Sequence, residues 1–400
     1  MKPKLVAPAG SLERLKAAVL YGAGAVYLGG ARYGLRAGAD NFNLAEITEG
    51  ASFAHQHSAE VYVVLNAFLH DDDFEGLCDY CRALEEIGVD AVVVSDLGVM
   101  RAVKKSSNLP IFLSTQASCL NHAAAVLWRS LGVARVILGR EVSIKEACTI
   151  KQKAHVALEM FVHGALCMGY AGHCHISTFS AGRDANRGGC IHACRFPYDI
   201  AAADEWFMER FFLSSKDLCG LSRIPELVAA GIDALKIEGR MKSVYYVAVT
   251  CRVYARALDL ALAGRLGPEE IRGLEKDLVS IPHRDYCQGS LSRLAGKESL
   301  YFPDSDHASK STHSFVGLVL KAEQDKVMVR LHAPLKTGDL LEILPFRGPL
   351  VKWPVGELFS LAGEPLEEGK QGTIVCLHPP SQAMPLRPNT VLRKPGLWCY

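Results

Sequence analysis

The stretch that decides the fold runs from Ile111 to Leu138, IFLSTQASCLNHAAAVLWRSLGVARVIL. It opens on a short β-type run, Ile111–Leu113, crosses an amphipathic segment, Ala123–Leu131, and returns to a second β-type run, Arg135–Leu138. Short apolar runs without polar alternation read as strands buried on both faces, and a helix between two of them joins parallel neighbours. The same unit recurs in both directions. Comparable runs stand at Leu5–Ala7, Ala25–Leu28, Val61–Leu65 and Ala91–Val94 on one side, and at Val156–Val162 and Ala234–Ile237 on the other. Amphipathic segments such as Ser11–Tyr21 and Phe74–Ile87 lie between them. Eight such strands predict an α/β fold, a TIM-like (β/α) barrel. The competing reading is a doubly wound open sheet, but no dinucleotide fingerprint is present. Gly22-Ala-Gly24-Ala-Val-Tyr27 lacks a third glycine and precedes a strand rather than following one.

The regular pattern breaks over residues 164–210, a Cys-, Gly- and His-rich insertion that ends in an expected hairpin, Tyr198–Ala202 with Arg210–Ser214. It leaves from the C-terminal end of a strand, where barrel chemistry sits. Val244–Ala263 reads as a long helix. These features define a catalytic domain over 1–282, followed by a polar linker over 283–311 that few core contacts should cross. Residues 312–400 change pattern to short strands, Phe315–Leu320, Lys326–Leu331, Asp339–Leu344 and Thr373–Leu377, expected to form a small C-terminal β-barrel.

The composition bounds the function. Of 400 residues, 49% are hydrophobic and 22% charged, which excludes a mainly disordered chain. Forty-four Lys and Arg against 43 Asp and Glu leave a formal charge of +1, which excludes a globally basic nucleic-acid binder but not a local basic patch. No apolar run of membrane-spanning length occurs and the N-terminus does not read as a signal peptide, so a cytoplasmic protein is expected. In that setting 13 cysteines point to metal or redox chemistry rather than to disulfides.

Four of them fall in HGALCMGYAGHCHISTFSAGRDANRGGCIHACRFPY (163–198), at Cys167, Cys174, Cys190 and Cys194. Four thiolates around one centre would hold in shape a segment that has little core of its own. Zinc sites usually pair two short spacings, whereas here six and fifteen residues separate the first three cysteines. Irregular spacing is common in iron–sulfur ligation. Zinc, with His173, His175 or His192 assisting, and plain buried thiols remain the alternatives. Cys219 reads as a core residue, as do Cys78 and Cys81 of a CxxC inside an amphipathic helix. The insertion also carries Arg183, Arg187 and Arg195 against Asp184, a modest basic surface able to hold a phosphate or carboxylate.

Polar residues recur where the strands end: Asn66, Ser95, Asp96, Thr115, Gln116, Arg140, His163, Lys236, Glu238 and Arg240. Such positions line the mouth of a barrel. Glu159 and His163 are four apart, so in a regular strand both face that mouth. A peptidase would need an engine. There is no GxSxG or HExxH, and the only nucleophile–base pair in view is Cys167 with His163.

The strings EMFVHGALC (159–167), KDLC (216–219) and KIEGRMKS (236–243), with PAGS (8–11), AVYLGG (25–30) and the cysteine array, resemble the collagenase-like peptidase family U32 across essentially the whole chain. Despite the name, its better-understood branches resemble oxygen-independent hydroxylases acting on the tRNA wobble uridine, a ribosomal RNA cytidine or a ubiquinone precursor. The resemblance implies a four-iron four-sulfur cluster on Cys167, Cys174, Cys190 and Cys194, and prephenate as hydroxyl source for the RNA branches. The C-terminal domain favours the tRNA branch. The expectation is therefore a tRNA hydroxylase forming 5-hydroxyuridine, with ribosomal RNA the lesser candidate. Glu159, His163, Glu238 and Arg240 would be its catalytic residues; Asn66, Gln116, Arg140, Arg183, Arg187, Arg195 and Lys236 would hold substrate. The alternatives are a collagenase-like peptidase and a non-catalytic RNA-binding protein with a structural metal.

Overall fold

The computed structural model describes residues 2–35, 40–202, 205–211, 213–296, 310–379 and 386–399. Seven strands follow one another around a parallel sheet: β1 (Lys4–Pro8), β2 (Ala25–Gly29), β3 (Glu60–Leu65), β4 (Ala91–Val94), β5 (Ile111–Leu113), β6 (Arg135–Ile137) and β7 (Ala157–Ala165). After the insertion, strand β11 (Ala234–Ile237) pairs in parallel with both β1 and β7, for example Leu5 with Leu235 and Met160 with Leu235. That double pairing closes an eight-stranded barrel. Strands β2, β4, β5 and β6 are buried along their whole length, as expected of strands covered on both sides.

Helices α1 (Leu12–Leu20), α2 (Leu44–Gln56), α3 (Leu77–Ile87), α4 (Leu97–Ser106), α5 (His122–Ser130) and α6 (Ile144–Ala154) connect the first seven strands. Their starts follow from capping chemistry. Asn43 with Glu46, and Ser143 with Glu146, form reciprocal capping boxes, and Asp96 accepts from the Val99 amide at 2.9 Å. Within the insertion lie the short helix α7 (Ile176–Ala181), a hairpin of β8 (Tyr198–Ala202) and β9 (Glu205–Arg210), and β10 (Asp217–Cys219). The second hairpin strand thus begins five residues before the expected Arg210–Ser214, because the β-prone run Glu205–Arg210 pairs directly back on β8. Helix α8 (Ile224–Ala229) leads into β11, and α9 (Val244–Leu262) then packs on α1 and β1.

The expected linker is corrected at its start. Helix α10 (Pro268–Leu278) is followed by β12 (Tyr286–Cys287), which pairs with β10 and extends the barrel sheet. Arg284 donates from Nε to Asp217 at 3.0 Å, and Leu291 is buried in the barrel core. The rest of the expected linker, 297–309, lies outside the described residues.

The C-terminal unit contains β13 (Lys310–Ala322), β14 (Val327–Leu331), β15 (Leu335–Lys336), β16 (Leu340–Leu344), β17 (Val351–Pro354), β18 (Leu358–Phe359), β19 (Pro365–Leu366), β20 (Glu368–Gly369), β21 (Ile374–Leu377) and β22 (Val391–Cys399). Eight of them form a curled antiparallel sheet in the order β17-β16-β22-β13-β14-β21-β18-β19 around a small core of its own. The expectation of few contacts across the boundary does not hold. Leu318, Leu344 and Val391 belong to the barrel's core cluster. The buried Tyr21 hydroxyl donates to the Leu344 carbonyl at 2.7 Å and accepts from the Val391 amide at 2.9 Å.

Candidate active site: a thiol-lined cavity at the barrel mouth

A cavity of about 580 Å³ opens at the C-terminal ends of the strands and is roofed by the insertion. Its base is an ionic chain inside the barrel. Glu159 of β7 is fully buried, accepts from Lys236 Nζ of β11 at 2.7 Å, and accepts from Arg135 Nη1 of β6 at 3.2 Å. Lys236 also sits 3.8 Å from the centroid of the Tyr27 ring, and the Tyr27 hydroxyl donates to Glu238 Oε2 at 2.8 Å. Two cations thus share the Glu159 carboxylate, and of these two Lys236 is the one that lines the cavity. Arg140 stacks over Phe161, 3.8 Å from its centroid, and Arg240 donates to Asn41 at 2.7 Å. The arginine lies against Gly29, where an added Cβ would fall 2.5 Å from Nη2, so the AVYLGG string makes room for the arginine of KIEGR.

Asn66, Gln116, Arg140, Arg195, Lys236, Glu238 and Arg240 all line this cavity, and so do all four array cysteines. Glu159 acts beneath the floor. Arg195 lines the cavity but also staples the insertion, donating to the Leu166 carbonyl at 3.0 Å and to Ser214 Oγ at 3.1 Å. Burial lowers its guanidinium to about 10. Arg183 is exposed and does not reach the cavity. Arg187 donates to Asp73 and to the Phe68 carbonyl, both at 2.7 Å, beside a smaller neighbouring cavity.

His163 is the clearest departure. The β7–β11 register runs Lys236 with Phe161 and then Ile237 with His163, so Val162 is an extra, bulged residue. A bulge shifts the facing of everything beyond it. His163 therefore leaves the face that Glu159 occupies and packs among Tyr246, Tyr254 and Tyr286. Burial lowers its imidazole to about 3, so it is neutral. The Cys167–His163 dyad is not assembled.

The sequence reading passed over three charged groups. Asp217, Lys242 and Arg284 line the cavity together. Burial opposes the charge on Asp217, but Arg284 and Lys242 outweigh it and hold the carboxyl below its ordinary value. Lys242 is lowered by burial. Asp217 and Lys242 lie inside the KDLC and KIEGRMKS strings, while Arg284 lay in the presumed linker. Exposed aromatic residues also stand on the insertion: Tyr170, Phe196 and Phe179, the last 89% exposed.

The thiols can be tested as a donor set. Burial raises Cys174 and Cys194, and the neighbouring array thiols raise them further, so the four are electrostatic neighbours. Among the described residues, no three His, Cys, Asp or Glu side chains stand close enough to bind a single ion. The four thiols are thus neighbours around one cavity that, among the described residues, are not gathered into a single-ion site.

Fold and site define a class: a TIM-type barrel carrying a cysteine-lined cavity beneath an insertion at its C-terminal mouth. The chain belongs to peptidase family U32, whose profile matches residues 10–300. It is 40% identical to tRNA hydroxylation protein P1 of Bacillus subtilis (strain 168), covering 88% of this chain and 85% of that one. It is 32% identical to the 23S rRNA 5-hydroxycytidine C2501 synthase of Escherichia coli (strain K12), covering 85% of this chain but only 52% of that longer protein. It is also 30% identical to a collagenase of Porphyromonas gingivalis (strain ATCC BAA-308 / W83), covering 72% of each. No helix of the described residues is long and apolar enough to cross a membrane.

Proposed function

We propose that this chain is an iron–sulfur-dependent RNA hydroxylase that forms 5-hydroxyuridine at the tRNA wobble position, with the hydroxyl derived from prephenate. The observation that carries the reading is the convergence of four thiols and several cationic side chains in one cavity. Likeness over most of the chain to a tRNA hydroxylation protein supports it. Cys167, Cys174, Cys190 and Cys194 would hold the cluster, which when bound supplies one-electron transfer. Arg140, Lys236 and Arg240 would bind the carboxylates of a dicarboxylate co-substrate. Asp217 pairs with Arg284, and Glu238, which lines the cavity and accepts from the Tyr27 hydroxyl, would serve as proton acceptor. Glu159 is a positioning residue that acts through Lys236. The Cys167–His163 pair that the peptidase alternative called for does not form here, because His163 packs among Tyr246, Tyr254 and Tyr286 while Cys167 lines the cavity.

The test compares tRNA nucleosides from cells lacking the protein with those from cells complemented by wild type, Cys174→Ala or Cys190→Ala. Loss of 5-hydroxyuridine and its derivatives, restored only by wild type, is expected. Anaerobically purified wild type should hold about four iron and four sulfide per chain, and the two variants little of either. An unchanged nucleoside profile, or stoichiometric zinc without iron, would refute the reading.

A further inference from the structure

One wall of the cavity has no part in the chemistry assigned so far. It is built from the ends of β3 and β5, and Asn66, Thr115 and Gln116 line it. Each carries a buried polar atom, Asn66 Oδ1, Thr115 Oγ1 and Gln116 Oε1, that has no hydrogen-bond partner among the described residues. Buried polar atoms are normally satisfied, and leaving one unpaired is costly. Three along one cavity wall is a concentration that packing does not account for.

Their positions are held by the protein. Asn66 Nδ2 donates to Ser114 Oγ at 3.1 Å, which directs the amide's nitrogen to the protein and leaves its oxygen as the unused end. The Gln116 amide donates to the same Ser114 Oγ at 3.3 Å, and the Gln116 side chain is 94% buried. Gly172, in the left-handed region with φ of +88°, crosses close by; a Cβ there would fall 2.8 Å from Gln116 Oε1. The insertion thus packs against Gln116 with a residue that cannot carry a side chain.

The set is two carboxamide oxygens, which only accept, and one hydroxyl, which can donate as well. Its complement is a small planar group bearing an N–H donor beside a carbonyl acceptor. Enzymes that modify a nucleobase draw it out of the stack and read its Watson–Crick edge with such groups. The cavity's 580 Å³ lies within the roughly 300–1,000 Å³ usual for ligand sites. Resting on the RNA reading above, we propose that Asn66, Thr115 and Gln116 form the base-reading wall of this site. The carboxamide oxygens take the N3–H of an extruded uracil, and the Thr115 hydroxyl bonds a flanking carbonyl. Gln116 is then a specificity-determining residue, and Arg140, Lys236 and Arg240 remain for the anionic co-substrate.

The experiment measures binding of the full-length, cluster-loaded protein to anticodon stem-loop RNAs carrying uridine or N3-methyluridine at the target position. N3-methylation removes the donor and keeps the phosphates. Wild type should prefer uridine by at least about tenfold. Gln116→Met, of similar length but without the acceptor, should lose most of that preference while keeping its affinity for the methylated RNA. Asn66→Leu, which removes the other acceptor of the N3–H, is the second variant, should Gln116→Met fail to fold, and should diminish the preference for uridine RNA in the same way. Equal wild-type affinity for the two RNAs, or undiminished preference in both folded variants, would overturn the wall as a base reader and leave the RNA reading standing. Absence of RNA binding by wild type would overturn both.

Discussion

His163 is held uncharged by its surroundings, and this has a measurable consequence. Its imidazole titrates near 3 in the fold because it is wholly desolvated, against about 6.5 in an unfolded chain. Between those values the unfolded state binds the extra proton, so stability is intact above about 6.5 and drains away as pH falls toward 3. This one group should remove about 2 kcal/mol between pH 7 and pH 5. Urea titrations at both pH values should show a smaller acid loss for His163→Phe than for wild type; equal losses would mean that other groups dominate. Glu159 offers the converse case. Glu159→Gln leaves Lys236 and Arg135 facing each other with no buried anion between them, and loss of one member of such a network typically costs about 3–5 kcal/mol. Chemical denaturation at pH 7 should register a loss of that order. A loss below about 1 kcal/mol would contradict the ionic floor described here.

At the scale of elements, a single bulge in β7 divides structural from chemical residues. Without the bulge at Val162, the alternation of a regular strand would carry His163 back to the cavity side. With it, the Val162 carbonyl accepts from the Gly220 amide at 2.7 Å and from the Tyr254 hydroxyl at 2.9 Å, tying the insertion's return and α9 to one point. Helix α7 shows the opposite economy. It is only six residues long and presents Phe179 almost entirely to solvent. On the proposed RNA reading, an exposed aromatic beside the site would stack on bases at about 1–3 kcal/mol each. Phe179→Ala should therefore leave folding within about 0.5 kcal/mol of wild type while weakening anticodon stem-loop binding roughly 5- to 150-fold. Unchanged affinity, with unchanged stability, would remove α7 from the proposed RNA-binding surface.

For the whole molecule, the boundary between barrel and C-terminal sheet is an anchored interface. Arg393 donates to Glu342 at 2.8 Å within its own unit and to Ser280 Oγ at 2.8 Å across the boundary, and it pairs with Asp277 at 3.4 Å. Arg252 of α9 reaches the Gly348 carbonyl at 2.7 Å, and the Tyr245 ring stacks on Phe315. Cutting the chain near residue 305 would strip these partners from Tyr21, Tyr245 and Asp277 and expose the apolar face around α1 and α9. A barrel-only chain should therefore aggregate or elute as large oligomers on size-exclusion chromatography. A monodisperse, cluster-loaded fragment would show that the two units are independent after all.

The barrel was legible in the sequence because doubly covered strands leave uninterrupted apolar runs, and all eight of those runs became barrel strands. The four cysteines were legible as a group because one insertion carries them all. Three things were decided only in three dimensions. The facing of His163 depended on one unpaired residue, and a periodicity of two cannot register a bulge. The grouping of Asp217, Lys242 and Arg284 joined positions up to 67 residues apart through β10 and β12, one of which lay in a stretch too polar and aperiodic to read as sheet. The contact between the two units came from Tyr21, Arg252 and Arg393, whose partners lie 323, 96 and 113 residues away. Short-range pattern reports which face of an element is buried; it carries no information about which distant surface does the burying.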